Sequence, residues 1–321
     1  MIIVTGAAGF IGSCMIRLLN NYEFTEILAV DDFSSEEKNK NLLNKDFQGY
    51  LERDKLFDWL STNANAVSGI IHLGARTDTV EQDWSIFQNL NIDYSKKLWQ
   101  FCAKQQLPFV YASSAATYGN GSFGFVDDHT VSSKLKPLNP YGRSKNDFDV
   151  WALNQKEQPS FWAGLKFFNV YGPNEYHKGR MASVVYHTYN KVVETGKMSL
   201  FRSHNEKFKD GEQLRDFIYV KDVVEICWHM FTSQPKNGLY NIGTGKARSF
   251  NDLAKNTFVS LGKEVQIDYI DIPQDIRQFY QYFTEAKVDK LEKTDYPNPF
   301  YTLEEGIYDY VVNYLLENRY W

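Results

Sequence analysis

Tyr141 and Lys145, in the segment Tyr-Gly-Arg-Ser-Lys, are spaced so that they could carry out acid–base chemistry. Residues four apart lie on the same face of a helix, so a phenol and an ammonium would be neighbours there. A lysine ammonium favours the phenolate, which would let Tyr141 exchange protons near neutral pH. Such a group can move a proton on or off a sugar hydroxyl while a hydride leaves the same carbon. The spacing alone is weak evidence, because amphipathic helices carry such pairs for other reasons.

Ser114 supplies a hydroxyl that could complete a catalytic set. Residues 109–119, Phe-Val-Tyr-Ala-Ser-Ser-Ala-Ala-Thr-Tyr-Gly, are typical of a buried strand that ends in a loop. Ser114 would then lie at the carboxyl end of the sheet, where open α/β folds bind their ligands. A hydroxyl there could hydrogen-bond the reacting oxygen beside Tyr141. The sequence therefore predicts a Ser114, Tyr141 and Lys145 set.

The first residues of the chain predict the element that holds a dinucleotide. An apolar strand over residues 1–5 leads into Gly6-Ala-Ala-Gly9-Phe-Ile-Gly12 and then into a helical pattern. In this context Gly6 allows a tight turn, Gly9 allows the backbone to approach a pyrophosphate, and Gly12 allows close helix–strand packing. The pyrophosphate would bind at the helix N-terminus, beside Phe10 and Ile11.

The second strand ends in Asp31 and Asp32, about twenty residues after the glycines. An acidic residue at this position is expected to bind the adenosine ribose, which favours NAD. Lys38, Lys40 and Arg53 follow and could neutralise a 2′-phosphate, which favours NADP, although Lys40 could equally belong to a solvated loop. These residues alone leave the choice between the two dinucleotides open.

Composition excludes several classes of protein. The 321 residues are 43% hydrophobic and carry a net charge of −5, so nucleic acid is not an expected partner. Three widely spaced cysteines and six histidines without ligand spacing predict neither disulfides nor a metal site. No apolar run approaches the ~20 residues that span a bilayer, and a strand at the first residue leaves no secretory signal. We therefore expect a cytoplasmic protein that does not enter a membrane.

Strands and helices alternate over the first half of the chain, which predicts a parallel sheet covered by helices on both faces. The predicted strands are near 1–5, 26–31, 67–73, 108–113 and 161–168, and the predicted helices near 10–21, 51–62, 83–105 and 140–156. Residues 174–214 are interpreted as loop-rich, with an exposed insertion over 207–213. The remaining predicted elements are strands at 215–220, 239–242 and 265–270, and helices at 223–231, 249–261 and 303–316.

As a set, the motifs of this chain resemble the extended short-chain dehydrogenase/reductase family. The resemblance spans nearly the whole length and implies an α/β fold, with a doubly wound parallel-sheet Rossmann domain over 1–168 and a smaller α/β substrate domain over 169–321. Residues 214–233 are expected to return to the first domain. The motifs are Gly6-x-x-Gly9-x-x-Gly12, His72-Leu-Gly-Ala75, Asn91, Ser114, Tyr141-x-x-x-Lys145, Asn169-Val-Tyr-Gly-Pro173, Arg215-Asp-Phe-Ile-Tyr-Val-x-Asp222 and Tyr240-Asn-Ile-Gly243.

The family implies a bound nicotinamide cofactor. Lys145 would hold the nicotinamide ribose and tune Tyr141, and the resemblance, with Lys38 and Arg53, favours NADP over NAD. The residues expected to bind the cofactor are Gly6, Gly9, Phe10, Ile11, Gly12, Asp31, Asp32, Lys38, Arg53, Leu73, Gly74, Ala75, Arg76, Thr77, Asn91, Lys145, Val170 and Lys178.

Within the family, the loop His177-Lys-Gly-Arg-Met-Ala-Ser-Val184 narrows the expected reaction. It resembles a branch whose members invert an exocyclic carbon of a nucleotide-linked sugar. Dehydration is disfavoured, because Ala115 and Ala116 stand where dehydratases usually carry Asp-Glu. Inversion needs the carbonyl intermediate to turn its other face to the cofactor, so its oxygen meets a second proton-exchanging group. Tyr141 is predicted to serve one orientation and Lys178 the other.

The resemblance also implies a nucleotide-sugar substrate and a homo-oligomer, specifically a pentamer. A planar guanidinium such as Arg215 suits a diphosphate. A UDP-sugar 4-epimerase is the alternative enzyme, and a dinucleotide-sensing module without catalysis is the alternative from another class. The residues expected to contact the substrate are Ser114, Asn169, Arg180, His187, Phe201, Arg202, Ser203, His204, Arg215 and Tyr280.

Overall fold

A seven-stranded parallel sheet organises the computed structural model, which describes residues 1–277 and 280–321. The strands of this sheet are β1 (Ile2–Thr5), β2 (Ile27–Asp31), β3 (Gly49–Glu52), β4 (Gly69–His72), β5 (Phe109–Ser114), β6 (Trp162–Phe167) and β10 (Gly238–Ile242). Their order in the sheet is β10-β6-β5-β4-β1-β2-β3. The expected parallel α/β sheet is confirmed.

Alternating side chains of the strands build one hydrophobic core on each face of the sheet. Ile2 and Val4 of β1 pack into one core, whereas Ile3 between them packs into the other. This is the period-two geometry of a strand that is buried on both sides. Helices cover both cores, so the sheet is doubly wound, as predicted.

The helices begin and end close to the predicted positions in the first half of the chain. One predicted helix, 83–105, is divided by a π-helical segment, Gln88–Asp93, into α4 and α5. The helices with their bounds are α1 (Phe10–Asn21), α2 (Glu36–Asn39), α3 (Leu56–Asn63), α4 (Trp84–Phe87), α5 (Tyr94–Gln105), α6 (Pro140–Leu153), α7 (Val184–Thr195), α8 (Val220–Ser233), α9 (Phe250–Ser260), α10 (Gln274–Arg277), α11 (Asp289–Glu292) and α12 (Leu303–Tyr310).

Two smaller sheets lie outside the main one. The first has the order β11-β9-β7, with β9 antiparallel to β11 and parallel to β7, and the second pairs β12 with β8 in parallel. Helix α8 follows β9 and packs on α1 beside the main sheet. The additional strands are β7 (Asn169–Tyr171), β8 (Met198–Phe201), β9 (Leu214–Tyr219), β11 (Ala247–Ser249) and β12 (Ile267–Ile270).

Part of the loop-rich interpretation of residues 174–214 is wrong, because α7 and β8 lie there. The predicted insertion is exposed only in its first part, since Gln213 is buried and its side chain donates to the carbonyl oxygen of Phe201. Strand β10 joins the main sheet although the predicted division assigns its residues to the second domain. The division at residue 168 stays a prediction.

Within residues 1–277 and 280–321, no helix combines the length and the apolar character that a membrane crossing requires. Cys14, Cys102 and Cys227 are all buried as free thiols.

Candidate active site

The glycine turn between β1 and α1 closes as the sequence predicts. Gly6 has φ +68°, a conformation that glycine adopts without steric cost, and its carbonyl accepts from the amide of Gly9 at 2.9 Å. A Cβ on Gly12 would lie 2.0 Å from the carbonyl oxygen of Gly6. The first and third glycines are therefore required by packing alone, independently of any ligand.

A cleft of about 630 Å³ lies above this turn, at the carboxyl ends of the strands. The N-cap Gly9 offers no side chain to the first amides of α1, and the first turn has no acidic residue. These unpaired N–H groups and the helix dipole favour an anion, so the cleft fits a dinucleotide pyrophosphate. The predicted cofactor residues that line it are Gly6, Gly9, Phe10, Ile11, Gly12, Asp31, Asp32, Lys38, Arg53, Leu73, Gly74, Ala75, Arg76, Thr77 and Lys178.

At one end of the cleft, two cationic side chains form ion pairs with two carboxylates. Lys38 donates to Asp31 at 2.8 Å, and Arg53 lies 3.2 Å from a carboxylate oxygen of Asp32. Asp31 also accepts from the backbone amide of Ala8 at 2.9 Å, which ties the end of β2 to the glycine turn. Lys40 instead pairs with Glu37 in solvent. Lys38 and Arg53 therefore face the cleft together, and Lys40 does not.

The three predicted cofactor residues that do not line this cleft have other contacts. Asn91 is buried in the π-helical segment, where it bonds both the amide and the carbonyl of Arg76 and donates to Ser144. π-helical turns occur frequently at functional sites. Asn91 thereby holds the Arg76 segment that lines the cleft. Val170 lies in β7, and Lys145 donates to the carbonyl of Ala112 at 2.8 Å.

Ser114 and Tyr141 meet at the end of β5 and the start of α6, as predicted. Asn139 caps α6 by accepting from the amide of Gly142, and Pro140 occupies its first position, so the helix places Tyr141 in its first turn. Burial raises the pKa of Tyr141 above its usual value, and the hydrogen bond from Ser114 partly opposes this. The sequence predicts a lowered pKa for Tyr141, and the structure shows the opposite shift. The reason is that the phenol is buried away from water while the Lys145 ammonium donates to a backbone carbonyl.

The pKa of Lys145 is also shifted by burial, in the downward direction. Its side chain is 5% exposed, and burial lowers its pKa to about 8, although Asp149 partly opposes the shift. Burial thus moves the two pKa values apart, because it raises the pKa of the phenol and lowers the pKa of the amine. The Lys145 amine can exchange protons at moderately alkaline pH, whereas the Tyr141 phenol needs a cation beside it to do so.

Beneath this set lies a buried polar network that the sequence interpretation missed. The Asp149 carboxylate, one turn after Lys145, accepts from Tyr111 at 3.0 Å and from Ser113 at 2.7 Å. It also pairs with the ammonium of Lys166 at 2.9 Å, and both side chains are at most 1% exposed. An available signal was the i, i+4 spacing of Lys145 and Asp149. The other partners are brought in from β5 and β6, which local spacing does not reveal.

The loop after β7 carries Lys178, which lines the cofactor cleft. Tyr176–Met181 form a 3₁₀ turn, and the Lys178 ammonium lies 5.2 Å from the ring centre of Phe10 in the glycine motif. Burial lowers the pKa of Lys178, and the carboxylate of Glu175 opposes that shift. A lysine that acts as a base needs a lowered pKa, and burial shifts the pKa of Lys178 in that direction.

The residues predicted for the substrate fall into two groups. In the first, the Arg215 guanidinium lies 5.5 Å from the ring centre of Tyr280, and the rings of Tyr280 and Phe201 meet edge to face at 6.0 Å. In the same region Ser203 donates its amide to Asp210. The Arg202 side chain donates to the carbonyl of Tyr269, and His204 lies 3.8 Å from Asp271.

The second group lies beside the Lys178 loop. Arg180 is exposed and pairs with Asp78 at 3.3 Å, whereas His187 lies half-buried on α7 and Asn169 is exposed in β7. The Arg180–Asp78 pair joins the Lys178 loop to the loop after β4 across the mouth of the cleft. The sequence did not indicate that Arg180 pairs with Asp78 within the protein.

Several further residues line the cleft without having been predicted. Ile86, Leu90 and Tyr94 recur every four residues along the helical segment 84–105, so they share one face. That spacing was a usable signal. His177 and Met181 complete the lining from the Lys178 loop.

In the described part of the chain, no three or more His, Cys, Asp or Glu side chains lie together in a way that could hold a metal ion.

Comparison with known proteins agrees with this geometry. Residues 2–243 match the model described as "Epimerase: NAD dependent epimerase/dehydratase family". An ADP-L-glycero-D-manno-heptose-6-epimerase of Fusobacterium nucleatum is 50% identical, with 98% of each chain covered. The crystal structure of the Helicobacter pylori enzyme of that name has a TM-score of 0.81 and 30% identity, covering 97% of this chain and 95% of the other.

A second solved structure shows how widely the fold is shared. A UDP-N-acetylglucosamine 4-epimerase from Methanobrevibacter ruminantium M1 has a TM-score of 0.84 at 24% identity and covers 99% of this chain and 98% of its own. At that identity the likeness concerns the fold alone. The family match and the relatives that cover nearly the whole chain establish that this protein belongs to the NAD dependent epimerase/dehydratase family, in the group named ADP-L-glycero-D-manno-heptose-6-epimerase.

Proposed function

We propose that this protein inverts the exocyclic sixth carbon of ADP-D-glycero-D-manno-heptose to give ADP-L-glycero-D-manno-heptose, a step in lipopolysaccharide core biosynthesis. The observation that carries the proposal is the position of Lys178. Besides the Ser114, Tyr141 and Lys145 set, a half-buried second amine with a lowered pKa lines the cofactor cleft. The names of the relatives at up to 50% identity support the same substrate.

A nicotinamide dinucleotide, when bound, supplies a hydride acceptor that can return the hydride to the same carbon. The uncapped amides of α1 would hold its pyrophosphate, and the carboxylates at the end of β2 would hold its adenosine ribose. We infer that it is NADP, because Lys38 and Arg53 both face the cleft where a 2′-phosphate would need neutralising. The matched model names the family as NAD dependent.

Tyr141 and Ser114 would act on the sugar oxygen in its first orientation. Tyr141 takes the hydroxyl proton as the carbonyl forms, and Ser114 donates a hydrogen bond to the oxygen that develops charge. Lys145, four residues after Tyr141 on α6 and anchored on the carbonyl of Ala112, would hold the nicotinamide ribose.

Lys178 would act on the same oxygen in its second orientation. At an exocyclic carbon the aldehyde needs only to rotate about one single bond to present its other face. The oxygen then occupies a new place, where Lys178 returns the proton. A lysine does this most readily when burial has lowered its pKa towards the working pH, which is the direction found here.

Arg215 would bind the diphosphate and Phe201 with Tyr280 would pack against the adjoining nucleotide or sugar. These three side chains lie together in the structure. We also infer that the enzyme works in the cytoplasm as a homo-oligomer, a pentamer in view of its family resemblance.

The proposal is tested by incubating the purified protein with ADP-D-glycero-D-manno-heptose and separating the two epimers chromatographically. We expect conversion to an equilibrium mixture, and release of NADP when the protein is denatured. Conversion of UDP-glucose to its 4-epimer, with no conversion of the ADP-heptose, would establish the alternative. The alternative is not favoured, because inverting a ring carbon gives Lys178 no role. Release of NAD alone would contradict the cofactor proposal.

A further inference from the structure

Glu175 is a fully buried carboxylate immediately before the turn that carries Lys178. Its oxygens accept from the amide of Ser183 at 2.5 Å, from the hydroxyl of Ser183 at 2.6 Å and from the amide of Gly172 at 3.4 Å. Hydrogen bonds to a charged acceptor are among the stronger ones in proteins. Burial raises the pKa of this carboxyl, and the donors of Ser183 and Gly172 oppose that rise by favouring the carboxylate.

The donors come from the two ends of one loop. Gly172 follows β7, whereas Ser183 caps α7 by accepting from the amide of Tyr186. Between them the chain turns back at Gly179, which has φ +52°, and the amide of Lys178 donates to the carbonyl of Glu175 at 3.0 Å. One side chain thus joins both ends of the arch that has Lys178 near its middle.

Glu175 also acts on the charge of Lys178. Burial lowers the pKa of the amine, and the Glu175 carboxylate is the group that opposes this shift. The neighbouring His177 contributes no positive charge at neutral pH, because burial lowers its pKa to about 4. The position and the protonation of Lys178 therefore both depend on the same carboxylate.

We propose that Glu175 is a positioning residue, whose carboxylate joins the two ends of the 172–183 segment and holds Lys178 against the cofactor cleft. The consequence for turnover rests on the proposed function. The effect on the loop and on the amine is a property of the protein alone. A residue that served only to cap α7 would leave the Lys178 amine unaffected.

The test uses Glu175→Gln, which keeps the shape of the side chain and removes its charge. Glu194→Gln is the matched control, because Glu194 is an exposed acid at the other end of α7 that pairs only with Lys191 among the described residues. Hydrogen exchange is measured on peptides that span 176–183. The titration of the Lys178 amine is followed by NMR of protein labelled with ¹³C at the lysine ε-carbon, and the signal is assigned by its loss in Lys178→Met.

We expect faster exchange confined to 176–183 in Glu175→Gln, and a titration midpoint for Lys178 lowered by about one pKa unit. Glu194→Gln should match the wild type in both measurements. Epimerisation should slow by about 10- to 100-fold with little change in KM, since a misplaced base affects the chemical step more than binding. Exchange and titration that are unchanged in a folded Glu175→Gln protein would overturn the inference. Absence of turnover in the wild type would instead count against the proposed function, while exchange and titration would still decide this inference.

Discussion

At the residue scale, burial favours the neutral forms of the candidate active-site groups. Desolvation raises the pKa of the Tyr141 phenol and lowers the pKa values of the Lys145 and Lys178 amines. The pKa values of the phenol and of the amines therefore move apart, as expected when neutral forms are favoured away from water. A cation brought close to Tyr141 would lower the pKa of the phenol again.

Replacing either proton-exchanging group should slow the reaction severely. We expect Tyr141→Phe and Lys178→Met each to reduce kcat by about 10²- to 10⁴-fold, the range that a general acid or base contributes, and the double change to abolish turnover. The measurement is epimer conversion at saturating substrate, with cofactor content and thermal unfolding as controls. Full activity in a folded Lys178→Met protein would rule out a second base.

Local spacing predicted the residues of the site that are neighbours along the chain. The glycines and the Tyr-x-x-x-Lys pair could be identified in this way, whereas the Lys178 loop was identified by its resemblance to one branch of the family. The partners of Asp149 could not, because Tyr111, Ser113 and Lys166 reach it from other elements. The pairing of Arg180 with Asp78 was equally hidden, since it joins residues about a hundred positions apart.

At the element scale, strong hydrophobic periodicity was sufficient for the central strands and their helices. Helix α7 was missed because Val184–Thr195 contains many β-branched residues, which have a low helix propensity. Its signals were the cap Ser183 and the terminal Gly196, which has φ +76°. Strand β3 lies at the edge of the sheet, and its alternate residues are exposed, so its short sequence was taken as the start of the next helix.

The segment that precedes the Lys178 loop is held by Asn174, which is buried and has φ +75°. Its side chain donates to the hydroxyl of Ser13 at 3.0 Å and to the carbonyl of Trp321 at 2.9 Å, and it accepts from the amide of Trp321 at 2.9 Å. One amide thereby ties α1, the loop and residue 321 together.

Asn174→Ala should therefore destabilise the protein by about 2–4 kcal/mol, because it breaks buried hydrogen bonds and places a Cβ residue without polar compensation at positive φ. Asn174→Gly is the matched control, since glycine removes the same hydrogen bonds but tolerates the backbone conformation. It should recover part of the loss in urea unfolding. Wild-type stability in both variants would show that these contacts contribute nothing.

At the scale of the whole molecule, the main sheet sets the position of the cofactor cleft and the two smaller sheets bring residues of the second half towards it. The parallel order could be predicted from the alternation of elements. The inclusion of β10 in the main sheet could not be predicted. The residues of β10 do not indicate that its partner is β6, a strand far away in the sequence.

Global stability should depend on pH through Asp222, a buried acid of α8 that accepts from the amide of Tyr301 at 3.1 Å. Burial raises its pKa to about 7, and Glu225 and Glu305 add to the shift. The folded state then keeps a proton that the unfolded state releases near pH 4. The stability contributed by the protonated acid is present below pH 4 and is lost progressively as the pH rises to about 7.

Asp222→Asn removes this dependence while keeping an oxygen for the amide of Tyr301. We expect the variant to gain stability over the wild type between pH 4 and 7, by at most about 1.4 kcal/mol for each unit of the shift, and to hold that gain at higher pH. Urea unfolding at several pH values measures it. A stability difference that is the same at pH 4 and pH 8 would contradict the assignment.

The proposed mechanism requires that one carbonyl intermediate turns within the site and receives its own hydride back. This is tested by converting ADP-D-glycero-D-manno-heptose labelled with deuterium at the sixth carbon in ordinary water and analysing the product by NMR. We expect the product to keep deuterium at the inverted carbon. Loss of the label to solvent would show that the carbon exchanges a proton with water, and would contradict the mechanism.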